Sequence, residues 1–201
     1  MADNNQFSVF PQGYRNREGV AVLATQPQET QDIYWAYDFI RSERPQWATD
    51  KLRSMVDTAS KEEISDFKKL SFQVATFNGI FSYRRASDLV ERSPYIIIDI
   101  DDLASTEEAR RVQRQIMDDH HVQAVLSFVS PKGRGVKGVL LLPEWSRDKD
   151  FKTQFQLIQQ YIAFEHGIKI DSSGSDVCRA CFLPHDPECM INPELLTLKN
   201  V

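Results

Sequence analysis

Tyr95-Ile96-Ile97-Ile98-Asp99-Ile100-Asp101, introduced by Pro94, is the stretch that decides the fold. An apolar run closed by acids reads as a central strand buried on both faces. Side chains alternate along a strand, so Asp99 and Asp101 point to the same face. Outward from this strand, Ser105 and Glu108 have the spacing of a capping box, and Ala109, Val112, Ile116 and Met117 then recur at helical spacing. Val122–Val129 and Val136–Leu142 read as strands flanking the turn Ser130–Gly135. Phe151, Phe155, Ile158 and Ile162 mark a long amphipathic helix that Gly167 stops. Ile168–Asp171 and Val177–Leu183 supply two last short strands. The order β-α-β-β-α-β predicts an α+β, split β-α-β unit, ferredoxin-like or RNA-recognition-like, with helices on one face of an antiparallel-rich sheet.

Upstream, Phe7–Phe10 and Val20–Ala24 are strand-like. Ile33, Tyr37 and Ile40 lie on one helix face that Pro45 closes, and a second helix carries Trp47, Leu52, Met55 and Ala59. Ser60 and Glu63 open a third helix with Ile64, Phe67 and Leu70 inward. Phe72–Phe77, Asn78-Gly79 and Ile80–Tyr83 read as a β-hairpin. The expected organisation is an amino-terminal helical and hairpin subdomain over residues 1–92, packed on an RNA-recognition-like subdomain over 93–201, together one compact domain.

The 201 residues are 41% hydrophobic with a formal net charge of −5, which excludes a wholly disordered chain and a generally basic nucleic-acid coat. Asp99–Glu108 holds five acids and no base, so this one segment equals the whole net charge. Apolar runs are only a handful of residues long, far short of the ~18–20 of a membrane span. Met1–Gln6 is polar and lacks the pattern of a secretory signal, so the expected location is the cytoplasm.

Two carboxylates projected side by side from an apolar strand repel each other and resist desolvation, and a divalent cation, Mg2+ or Mn2+, offsets both. Acids at strand ends also cap neighbouring helices, a role open to Asp102. The turn Ser130-Pro131-Lys132-Gly133-Arg134-Gly135-Val136-Lys137 places three cations and two glycines in eight residues with no acid, a composition that cradles an anion or forms a solvated basic hairpin. Asp171 closes another apolar stretch and would bring a third carboxylate to the same rim. Arg179 is a further phosphate ligand in this reading, and Asp176 its scaffold partner. Cys178, Cys181, His185 and Cys189 share the spacing of a small zinc knuckle. Val177–Leu183 as a buried strand would send Cys178 and Cys181 to opposite faces, which favours plain buried thiols.

Residues 75–81 (ATFNGIF), 98–101 (IDID), 128–137 (FVSPKGRGVK), Asp171, 176–179 (DVCR) and 182–187 (FLPHDP) resemble, in order and spacing, the VirE N-terminal-like domain family of Bacteroidetes and phages. That family is similar to the archaeo-eukaryotic primase and primase-polymerase superfamily, and the similarity runs from about Phe7 to Pro193. The resemblance implies a primase-type fold and a metal-dependent nucleotidyltransferase acting in DNA replication on single-stranded DNA and nucleoside triphosphates, in a phage, mobile element or host. It implies Asp99, Asp101 and Asp171 as catalytic ligands of two Mg2+ or Mn2+ ions, and Ser130 and Lys137 at the nucleotide phosphates, Lys137 standing where the wider superfamily has His. Lys132, Arg134 and Arg179 would join them. A helicase-type ATPase partner is implied too, with this chain a stand-alone module or an excised domain. A catalytically inactive nucleotide- or nucleic-acid-binding module, and more weakly a metal-dependent nuclease, are the alternatives.

Overall fold

The computed structural model describes residues 5–143, 146 and 148–194. Its first half comprises β1 (Phe7–Phe10), β2 (Tyr14–Arg15), β3 (Ala21–Val22), β4 (Glu29–Gln31), α1 (Ile33–Arg41), α2 (Gln46–Met55), α3 (Lys61–Ser71), β5 (Val74–Thr76), β6 (Gly79–Phe81) and β7 (Leu89–Arg92). The second comprises β8 (Tyr95–Ile100), α4 (Thr106–Asp118), β9 (Ala124–Val129), β10 (Val136–Leu141), α5 (Phe151–His166), β11 (Cys181–Phe182) and β12 (Met190–Ile191). The result is a mixed α/β architecture with antiparallel pairing throughout its sheets.

One sheet has the order β12-β9-β10-β8. β10 lies between β8 and β9, the two strands joined through α4, which is the split β-α-β arrangement. The expected β-α-β-β-α-β unit is not completed by Val177–Leu183, however: its strand β11 joins the other sheet, and the fourth strand here is β12, beside β9. Every residue of β8 is buried, as its unbroken apolar run requires. Ile96, Ile98 and Ile100 face Ala109, Val112 and Ile116 of α4 and Phe155 and Ile162 of α5. Tyr95 and Ile97 face the other way, onto Phe7, Val9, Ile33, Ile40 and Phe77. By the same alternation Asp99 and Asp101 belong to the face turned towards the first half of the chain.

The other sheet, β11-β5-β1-β4, is built from first-half strands plus β11, which pairs Cys181 with Ala75 and Phe182 with Val74. The chain tail then returns to the β8 sheet, where Met190 pairs with Ser127. The two halves therefore share one apolar core as well as an exchanged edge strand.

Local signals account for most helix ends. Ser60 Oγ accepts from Glu63 N–H at 3.2 Å and Glu63 accepts from Ser60 N–H at 2.8 Å, a complete capping box worth about 1 kcal/mol. Gly167 ends α5 in the left-handed conformation, φ +65°, where a Cβ would be strained. Ser105 caps α4, but the Glu108 carboxylate reaches back to Ala104 N–H. α1 ends at Ser42, and Pro45 instead opens α2.

Three local expectations fail. Asn78-Gly79 does not join a hairpin: β6 pairs with β7, because the Asn78 side chain is consumed in holding Ile97 N–H and the Val177 carbonyl at 3.1 and 3.0 Å. Ile168–Asp171 forms no strand, and its one ladder-like bond runs from Asp171 N–H to the Asp99 carbonyl at 2.8 Å. Strand pairing in Val177–Leu183 is confined to β11, since Asp176 draws Cys178 into a turn through its N–H at 3.1 Å.

Candidate functional site

β8 delivers Asp99 and Asp101 to one rim of its sheet, and the bond from Asp171 N–H to the Asp99 carbonyl brings the third acid beside them. One carboxylate oxygen from each of Asp99, Asp101 and Asp171 lies within 4.8 Å of the others. The Asp99 side chain is 9% exposed, Asp101 lies at the open edge, and Asp171 is intermediate. Asp102, the residue that turns the chain away from β8, caps no helix and adopts a left-handed φ of +60°, which a short polar side chain tolerates.

Lys137 pairs with Asp99 across the β8–β10 ladder, so both side chains share a face and the ammonium bonds Asp99 Oδ2. Arg179 Nη2 lies 3.2 Å from Asp171 Oδ2 and 3.8 Å from Asp99 Oδ2. Ser173 donates to Asp171 through its N–H at 3.0 Å and its hydroxyl at 2.5 Å. Burial, followed by the Asp99 charge, raises the Asp101 pKa. Burial opposes ionisation of Asp171 too, but the Ser173 bonds and Arg179 outweigh it and hold the pKa down. Burial likewise opposes the Lys137 charge, and Asp99 outweighs it, leaving the pKa raised.

The Ser130–Lys137 turn is held by its own backbone: Gly133 N–H donates to the Ser130 carbonyl at 2.9 Å and Ser130 N–H to the Gly135 carbonyl at 2.8 Å. Gly133 has φ +80°. A Cβ on Gly135 would lie 2.5 Å from the Ile100 carbonyl oxygen and 3.3 Å from Asp101 Oδ1, so only glycine lets the turn approach the acids this closely.

A cleft of about 360 Å³ opens over this rim. Asp99, Asp101, Ser130, Lys132, Lys137 and Arg179 line it from the second half, and Lys68 and Arg84 from the first. Asp99 Oδ1 and Ser130 Oγ are buried there without a hydrogen-bond partner, each an uncompensated desolvation of about 1–3 kcal/mol.

Two expectations about side chains need correction. Arg134 points away from the acids and bonds Asp57 at 2.9 and 3.1 Å. Asp176 is not the ion partner of Arg179; its carboxylate accepts from Cys178. Lys68 and Arg84 are not legible in the sequence as site residues, although Lys68 falls four positions after Ile64 and hence on the inward side of α3. Burial, then the nearby Lys132 and Lys137 charges, lowers the Lys68 pKa.

The cysteine cluster behaves as plain thiols. Cys181 and Cys189 are buried, and the four residues form no metal-ligating group of three or more among the described residues. Burial pushes the Cys181 thiol up to about 12 and, together with Asp176, Cys178 up to about 11, which disfavours thiolate ligands. His185 serves the loop, its Nδ1–H donating to the Ser42 carbonyl at 2.8 Å.

Fold and site together define a mixed α/β domain whose sheet rim gathers three carboxylates beneath a cationic cleft. The chain belongs to the family described as BT4734-like, N-terminal domain, whose profile matches residues 66–190. That span contains every acid and base of the cleft named above, Lys68 included. No curated protein and no solved structure matches the chain. Among the described residues, no helix is long and apolar enough to cross a membrane.

Proposed function

We propose that this domain is a primase- or polymerase-like nucleotidyltransferase that extends a strand on a single-stranded DNA template, using Mg2+ or Mn2+. The observation that carries the reading is the approach of Asp99, Asp101 and Asp171 to within 4.8 Å, facing the turn that ends in Lys137. The residues fit the metal: three hard oxygen donors converge, and Asp99 Oδ1 is buried with no partner. Bound there, a divalent cation would supply charge neutralisation at the phosphate being transferred.

In this reading Asp99, Asp101 and Asp171 hold the metal, and Lys137 and Arg179, stationed on those carboxylates, serve the nucleotide phosphates. Ser130, with its unpartnered hydroxyl, donates a further hydrogen bond, and Lys132 adds charge. The net reaction joins a 3′ oxygen to the α-phosphorus and releases pyrophosphate, with the 3′-hydroxyl proton passing to water. Resemblance to the primase superfamily through residues 98–101, 128–137 and Asp171 supports it, as does the split β-α-β order at the rim.

The experiment is extension of a labelled primer and de novo synthesis on single-stranded templates, with ribo- and deoxyribonucleotides, in Mg2+ and in Mn2+. The expected result is metal-dependent product that the double variant Asp99→Ala/Asp101→Ala lacks. Equal product from the double variant would place the activity elsewhere. A second reading, a nucleotide-binding module without chemistry, draws on the ion pairs Lys137–Asp99 and Arg179–Asp171, which already neutralise two of the acids. It predicts nucleotide binding in EDTA and no product under any metal.

A further inference from the structure

The cations of the cleft fall into two groups. Lys137 and Arg179 are engaged with Asp99 and Asp171. Lys68, Lys132 and Arg84 line the same cleft with no ion pair among the described residues, and Arg84 directs its Nε–H to the Ala24 carbonyl at 3.3 Å, which leaves the two lysines. Lys68 comes from the last turns of α3, in the half of the chain opposite the carboxylates, and its ammonium rests over the Phe182 ring at 5.4 Å from the centroid. An ammonium drawn partly out of water among other cations is costly unless an anion completes its surroundings. The cation–π contact fixes its direction but leaves its charge unneutralised.

We propose that Lys68, with Lys132, is the phosphate clamp of the cleft and takes the terminal phosphates of a nucleoside triphosphate. This rests on the nucleotide-binding reading above and adds to it a residue from the amino-terminal half, while Arg134 is drawn off by its pairing with Asp57. The division of labour follows from the charges. Acids and their tethered cations form one wall, suited to the metal and the reacting phosphate. Lys68 faces them from the first half of the chain, and Lys132, on the turn that ends in Lys137, stands close enough for its charge to act on both Lys68 and Asp101. Neither lysine is bound to a carboxylate, which suits them to the phosphate charge beyond the metal. A cleft of about 360 Å³ is near the small end of ligand sites, ~300–1,000 Å³, and suits a compact polyanion.

The test is isothermal titration of the full chain in EDTA with tripolyphosphate as probe, and with a single-stranded oligodeoxynucleotide in a parallel arm. Lys68→Met should weaken tripolyphosphate binding at least tenfold and Lys68→Arg less than threefold. Lys69→Met, one residue along and paired with Asp66 at 3.8 Å, should bind as the parent does. Circular dichroism checks folding, and Lys68→Gln replaces Lys68→Met if the latter fails to fold.

Unchanged tripolyphosphate affinity in a folded Lys68 variant overturns the proposal, as does absence of binding by the parent chain. Loss confined to the oligonucleotide arm also overturns it, by assigning Lys68 to the strand. Because no metal or turnover is involved, failure of template extension leaves this result standing. Conversely, extension with unaltered tripolyphosphate binding in the variant removes only the clamp.

Discussion

Asp101→Asn is expected to stabilise the metal-free protein while sharply weakening its response to divalent cations. Asp101 lies within 4.8 Å of the Asp99 and Asp171 carboxylate oxygens. At that separation two like charges repel by about 1 kcal/mol at the dielectric of water and about 3.5 kcal/mol at an effective value near 20. Lys132 and Lys137 offset part of this, and the exposed position of Asp101 screens the rest, leaving a penalty of about 1 kcal/mol. The sign follows from the raised pKa, caused by burial and then by Asp99. A carboxyl whose folded pKa lies above its unfolded value binds its proton better when folded, so the penalty is absent below the unfolded pKa. It develops as the pH rises to the folded value and is complete above it. Urea denaturation in EDTA should therefore show the variant about 1 kcal/mol more stable at pH 7, with the two curves meeting at about pH 3.5. Mn2+ at a hundred times its dissociation constant should stabilise the parent by about 2.7 kcal/mol and the variant by far less. A variant less stable than the parent in EDTA would show that Asp101 carries no net repulsion, and one that gains equally from Mn2+ that Asp101 does not hold the metal.

Asp186, fully buried, accepts from Arg110 at 2.5 and 2.9 Å and from Val129 N–H at 2.7 Å, so Asp186→Asn removes the closer of the two carboxylates on the Arg110 guanidinium and leaves it the more exposed Glu188 at 3.5 Å. We expect a loss of about 2–4 kcal/mol by urea denaturation, below the full penalty of an unpaired buried charge, and a loss under about 1 kcal/mol would show that Glu188 and water together compensate Arg110. Gly135→Ala should destabilise by about 1–3 kcal/mol and weaken Mn2+ binding, measured by titration, because its Cβ strikes the Ile100 carbonyl; parent-like affinity would mean that the turn yields freely. Asp119 joins the end of α4 to α5, accepting from His166 at 2.6 Å and Tyr161 at 3.1 Å. Burial works against its charge, but His166 and its other donors outweigh burial and lower the pKa, so its contribution is present above the unfolded pKa and lost as the pH falls through the folded one. Asp119→Asn should flatten acid unfolding below about pH 4, and an unchanged acid limb would assign that limb to other carboxylates.

The periodic parts of the chain are legible in its amino-acid order alone. β8, α4, the β9–β10 pair and α5 follow from apolar spacing, and the period of two sets Asp99 and Asp101 on one face. The position of Asp171 follows from strand-end logic even though Ile168–Asp171 is not a strand; a single backbone bond does the positioning. The features that spacing does not reveal depend on contacts remote in sequence. Asn78-Gly79 has hairpin chemistry, yet bonds to Ile97 and Val177 override it. Arg134 is as basic as its neighbours, and only the distant Asp57 turns it outward. Lys68 is an ordinary charge on an amphipathic helix until Phe182 is brought beneath it.

β11 has only two residues, yet it spans the gap between the walls of the cleft. Arg179, which holds Asp171, lies two positions before Cys181, and Phe182 underlies Lys68. The register of Cys181 on Ala75 therefore sets how far apart the metal-side and phosphate-side charges stand. A strand advances in steps of about 3.3 Å and reverses its faces at each step. Cleft width is thus not continuously adjustable: one step of slippage would turn Phe182 away from Lys68 and carry Arg179 off its carboxylates together. The separation of the two charge groups is indexed by backbone pairing, as a ratchet tooth fixes a gap, and relatives with a differently sized cleft should differ by whole residues between Asp171 and Cys181.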